Sequence, residues 1–143
     1  MRTNLIGLVA GVGLSLAAAV PAVAHHSFAA EFDRAMPISV TGTVTKVEWA
    51  NPHARFYIDA KDDAGKIVNW DFELASPNGL MRRGWNRNSM KIGDTVTVTG
   101  HRAKNNPAVG NASSVVLADG KKLFAGSSIE NEAPASGSAQ PSQ

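Results

Sequence analysis

The sequence predicts a mainly β domain of five strands and one short helix, and three observations predict it. From Ile38 onward apolar residues recur at every second position, the spacing of strands with one buried face. Turn-forming stretches such as DDAGK and ADGKK separate these runs. One segment, SPNGLMRRGW, instead opens with a Ser-Pro pair and carries a glycine downstream, as a short capped helix does.

The first run, ISVTGTVTKVEW, places Ile38, Val40 and Val44 on one face, and Val47 and Trp49 on the other. A strand that changes its buried face midway needs a bulge or a sharp coil, and Gly42 is the residue the run offers for it. In the second run Phe56, Ile58 and Ala60 alternate with Arg55, Tyr57 and Asp59, and Gly65 then permits a tight turn. The third alternates Val68, Trp70, Phe72 and Leu74 with Asn69, Asp71 and Glu73. Ser76 is expected to cap a helix of about two turns with Pro77 at its first position and Gly84 at its end. That helix carries Leu80 and Met81, and Trp85 just beyond it is expected to plug one barrel end. Val96 and Val98 alternate with Thr95, Thr97, Thr99 and His101 in the fourth strand. The fifth runs through Val115 and Leu117 before an Asp-Gly turn and a short apolar return. Three strands, a short helix and two strands, with a bent first strand, resemble the OB-fold, a five-stranded Greek-key barrel. An open sandwich is the competing architecture, and it leaves the lone helix unexplained.

Residues 1–24 read as a signal peptide. One charge, Arg2, precedes the uncharged apolar run Leu5 to Val20, and Pro21 and Ala22-Val23-Ala24 supply the break and the small residues of a cleavage site. The run is shorter than the ~20 apolar residues of a membrane span. Residues 25–126 are the expected OB-fold-like domain, its packed part running from about Phe28 to Gly126. Residues 127–143, rich in Ser, Ala, Pro, Gly and Gln, are expected to be a disordered tail. Export implies a periplasmic protein with no membrane span after cleavage.

Cleavage removes one of 14 basic residues, leaving 13 against 12 acidic ones, so the mature net charge is +1. That balance offers little to phosphate backbones, and no nucleic-acid partner is expected. Cysteine is absent, which excludes thiolate metal sites and cysteine nucleophiles. No Gly-x-Ser-x-Gly, His-Glu-x-x-His or phosphate-cradling loop occurs, so no catalytic residues are assigned.

The blocks HHSFAAEFD, VTKVEWANPHARFYID, WDFELASPNGLMRRGW, GDTVTVTGHRAK and ADGKKLFAG together resemble a family of small exported bacterial proteins known as a domain of unknown function. The resemblance covers nearly all of the mature core and implies an exported single domain. It brings no activity, substrate or catalytic residue. More loosely, the layout is similar to other periplasmic OB-fold proteins, which mostly bind ligands.

Cleavage after Ala24 would make His25 the amino terminus. Its α-amine and ring Nδ1 can close a chelate ring on Cu(II), Ni(II) or Zn(II), and His26 adds a second imidazole. An amino-terminal histidine with another imidazole resembles the histidine brace of secreted copper proteins, which only His25 matches directly. His53, in the loop after the first strand, and His101, on the polar phase of the fourth, are the candidates for further metal ligands. The bland alternative makes all four histidines solvated or turn residues. The candidate organic-ligand surface comprises Trp49, Asn51 and His53, with the stretch from Lys104 to Asn111. Pro52 is expected to fix the loop and Asn51 to bond its own backbone. Trp70 reads as core, and core is the commoner fate of Trp49 as well. Arg82, Arg83 and Arg87 read as a solvated helix end, and Asp71 and Glu73 as surface charges. The expectation is a monomeric, non-catalytic binding protein that takes copper through His25. The alternative is a binding module for a small ligand or an oligosaccharide.

Overall fold

The computed structural model describes residues 28–126. The expected signal peptide, His25, His26 and the expected tail 127–143 lie outside the described residues. The chain begins with a single turn, α1 (Phe28–Glu31), and passes directly into the long strand β1 (Phe32–Glu48). β2 (Arg55–Lys61) and β3 (Ile67–Glu73) follow, then the helix α2 (Pro77–Met81). β4 (Thr95–Ala103), β5 (Val109–Val116) and the short β6 (Lys122–Phe124) complete it.

β1 pairs with β4 through its first half and with β2 through its second. β2 pairs with β3, β4 with β5, and a parallel pairing of β3 with the start of β5 closes the ring. The closed order β1–β2–β3–β5–β4, with α2 between β3 and β4, is the OB-fold. β6 is the predicted apolar return. It pairs with the end of β5 and stands outside the ring.

The change of buried face in β1 occurs where pattern reading did not put it. The register slips between Val44 and Lys46, so Thr45 is the extra residue, and Val44 and Val47 both turn toward the core. Gly42 keeps regular pairing with Val96. Its need for glycine is steric, since a Cβ there would lie 2.5 Å from the Asp59 carbonyl oxygen.

The core is built by the predicted inward residues. Val44, Phe56, Ile58, Phe72, Leu80, Val96, Val98 and Val115 are its fully buried side chains. Phe72 stacks between Phe56 and Trp70, with centroids 5.5 Å away on each side. Ser76 caps α2 by accepting from the Gly79 amide at 3.2 Å. The regular helix is five residues, shorter than two turns, because tighter turns carry the chain from Leu80 to Gly84, where φ is +89°. Trp85 then closes the barrel end, with its indole Nε1 donating to the Phe124 carbonyl at 2.8 Å.

β5 starts earlier than the pattern suggests. Val109, Gly110 and Asn111 belong to the strand, which shortens the predicted Lys104–Asn111 loop to residues 104–108. Gly110 reads as a loop residue in sequence, yet it sits where a Cβ would come within 2.8 Å of Ile38 Cδ1 and 2.9 Å of a Phe72 ring carbon.

Candidate functional site

The closing pairings line up residues far apart in sequence. Arg55 of β2 faces Glu73 of β3, Glu73 faces Asn111 of β5, Asn111 faces His101 of β4, and His101 faces Pro37 of β1. Paired residues project to one side of a sheet, so Arg55, Glu73, Asn111 and His101 form a polar row across the outside of the barrel.

One end of the row is an ion network. Arg55 donates from Nε and Nη2 to both carboxylate oxygens of Asp71, at 3.0 and 2.9 Å, and from Nη1 to Glu73 at 3.1 Å. Asp71 and Glu73 are therefore not the free surface charges that strand patterning implied, because β2 brings a guanidinium between them. Burial works against the Arg55 charge, but Asp71 and Glu73 outweigh it and hold the guanidinium pKa above its ordinary value. Burial also raises the Glu73 pKa; His53 and Arg55 oppose the rise, while Glu31 and Asp71 add to it.

His53 leans toward the same end. Its Nδ1 donates to the Leu74 carbonyl at 3.0 Å and lies 3.9 Å from Glu73 Oε1. This is the backbone-bonded turn histidine of the bland alternative. The predicted Asx-type bond of Asn51 is absent, and the Asn51–Pro52 peptide is cis.

The other end lies beneath α1. The Phe28 ring stands edge-on to the His101 ring at 5.6 Å and packs on Phe32 at 5.5 Å. Lys104 fastens α1 from below, its amide donating to the Glu31 carbonyl at 2.9 Å and its Nζ to Ala29 at 2.6 Å. Asn111, paired with His101 in the sheet, is only 5% exposed. Its Oδ1 and the Nδ1 of His101 are buried without a hydrogen-bond partner. Burial, reinforced by Arg34 and opposed by Asp33, lowers the His101 pKa below its ordinary value.

His53 and His101 thus stand at opposite ends of the row, separated by the strands of Glu73 and Asn111. Among the described residues no group of three His, Asp or Glu side chains is arranged to hold a metal ion.

The remaining candidates gather elsewhere. Trp49 and Asn51 line an open cleft of about 610 Å³, together with Asn78, Asn86, Arg87 and Asn88. His53 is not among its lining residues, nor is any part of the 104–108 loop. The three arginines separate. Arg87 lines the cleft, whereas Arg83 donates to the Gly126 carbonyl and lies over the Phe124 ring at 4.9 Å. Arg82 is the C-cap of α2. Pattern reading placed Asn111 at the end of a loop, since Asn after Gly signals a turn, and not in a strand beside His101; Val109 before the pair was the available signal.

A model of the family of unknown function DUF6152 matches residues 14–112. The chain belongs to this family. The matched segment contains every residue of the polar row and of the cleft. No curated protein matches the chain. Among solved structures, the mitochondrial single-stranded DNA binding protein Rim1 of S. cerevisiae is similar at 12% identity and a TM-score of 0.44, over 57% of this chain and 91% of that one. No helix among the described residues is long and apolar enough to cross a membrane.

Proposed function

We propose that this DUF6152 member is an exported, periplasmic, non-catalytic binding protein that takes a transition metal ion, copper by preference. The ion would be held between the amino-terminal histidines and His101. Cleavage after Ala24 exposes the His25 amine, whose ordinary pKa of ~7.7–8.0 lets a metal displace its proton near neutrality. Amine and neutral imidazole together suit Cu(II).

The observation that carries this reading is the seat of α1 on His101, with centroids 5.6 Å apart. Only two residues, His26 and Ser27, separate Phe28 from His25, a span of at most about 11 Å. The terminal chelate would therefore reach the His101 ring from above. That ring has a lowered pKa and an unspent Nδ1, and the unspent Oδ1 of Asn111 lies beside it in register.

Mass spectrometry of the exported protein is expected to find His25 at the amino terminus. The mature protein should then bind one equivalent of Cu(II), and His101→Gln or one alanine placed before His25 should each weaken binding about tenfold or more. A different mature terminus, or an affinity unchanged by both alterations, overturns the proposal.

A further inference from the structure

We infer that the cleft beside Trp49 is a second binding site, built for a neutral sugar chain and separate from the metal site. Its elements differ from those of the polar row. It is formed by the loop from β1 to β2, α2 and the turn of Asn86 to Asn88.

The lining chemistry selects the ligand. Asn51, Asn78, Asn86 and Asn88 bring four carboxamides to one opening, and no carboxylate lines it. A cationic ligand would find no counter-charge there. Arg87 is the one charged side chain of the lining. A single exposed guanidinium is a poor match for a polyanion, whose binding draws on several cations at once. A carboxamide both donates and accepts, as a sugar hydroxyl does, so amides pair with neutral polyols without leaving a charge unbalanced.

The hydrogen bonding within the protein leaves these groups available. Only Asn86 commits part of its side chain, its Oδ1 accepting from the Asn88 amide at 2.8 Å. The side chains of Asn51, Asn78, Asn88 and Arg87 make no hydrogen bond to the described residues.

The tryptophans sharpen the point. Trp85 spends its indole N–H on the Phe124 carbonyl and is 5% exposed. Trp49 is half-buried and makes no hydrogen bond with its indole N–H to the described residues. It borders the cleft on one side and a tight apolar slot of about 10 Å³, shared with Trp85 and Met90, on the other. That slot anchors the ring, leaving an aromatic surface with a polar tip, which suits the C–H face and hydroxyl rim of a pyranose.

The test uses the mature protein, with chitotriose and cellotriose as probes, followed by calorimetry and by amide shifts in NMR spectra. Saturable binding of one of them is expected, with shifts centred on Asn51, Asn78 and Asn88. The double variant Asn78→Ala/Asn88→Ala should leave the unfolding midpoint unchanged and weaken binding at least about tenfold, or about 1.4 kcal/mol. His101→Gln, which strikes the proposed metal site, should leave sugar affinity as it was. Absence of saturable binding by both sugars overturns the inference. So does an affinity that the double variant does not change, or tighter binding of an oligothymidylate than of either sugar.

Discussion

Two short helical segments cover this barrel, and they treat polar groups in opposite ways. At α2 the covered groups are satisfied: Ser76 caps the helix, the Ala75 amide donates to Ala125 at 2.8 Å, and Trp85 donates to Phe124. The side chains that α2 and its following turn bury are Pro77, Leu80 and Trp85. At α1 the cover lies over His101, and the Nδ1 of His101 and the Oδ1 of its paired neighbour Asn111 are left without partners. The third orphan, Arg102 Nε, belongs to the same strand as His101. A buried polar atom without a partner costs about 1–3 kcal/mol. A fold selected only for stability would have replaced Asn111 with an apolar residue. The α2 end satisfies the polar groups it covers, whereas the α1 side leaves buried polar atoms without partners.

This contrast can be broken in three places. Trp85→Ala should have the largest effect, destabilising the protein by about 3–5 kcal/mol in urea unfolding. A loss below 1 kcal/mol would mean that Trp85 is not the plug of the barrel. His101 should produce a smaller, pH-dependent effect. Its folded pKa is below its unfolded value, so between the two the unfolded state binds more protons and stability rises with pH. Unfolding measured below and above the ordinary histidine pKa should show stability falling on acidification, and His101→Gln should remove that part of the slope. A variant with the full wild-type slope would show that the pKa of the ring is not lowered beneath α1. The smallest effect on stability belongs to Asn111→Leu, which should be neutral or slightly stabilising because it removes a buried orphan. The same variant should weaken Cu(II) binding. A variant that loses stability instead would place Asn111 in a structural role and erase the difference between the two sides.

Much of the fold was legible in the residues themselves. Val68, Trp70, Phe72 and Leu74 share a phase that only a strand can bury together. Ser76, Pro77 and Gly84 mark a helix through their own backbone preferences. The errors arose where a local preference met a neighbour. Gly42 was a plausible bulge on conformational grounds, but the slip falls at Thr45, and Gly42 is required by the approach of the Asp59 carbonyl from β2. Gly110-Asn111 has the chemistry of a turn and nevertheless lies in β5, held there by pairing with β3 and β4. The cleft was half legible, through Trp49 and Asn51. Its other amides come from α2 and the turn beyond it, and no periodicity links them to the first loop.

The sequence alone determined the strand alternation, the helix between β3 and β4, the absence of thiol chemistry and the pair of histidines after an Ala-x-Ala. Each of these follows from side chains a few bonds apart, where sterics and hydrophobicity act on neighbours along the chain. The tertiary structure alone decided that Arg55, Glu73, Asn111 and His101 form one row, and that α1 covers its far end. Strand register across a closed barrel sets which distant residues meet, and a shift of one residue would turn each of them to the opposite face.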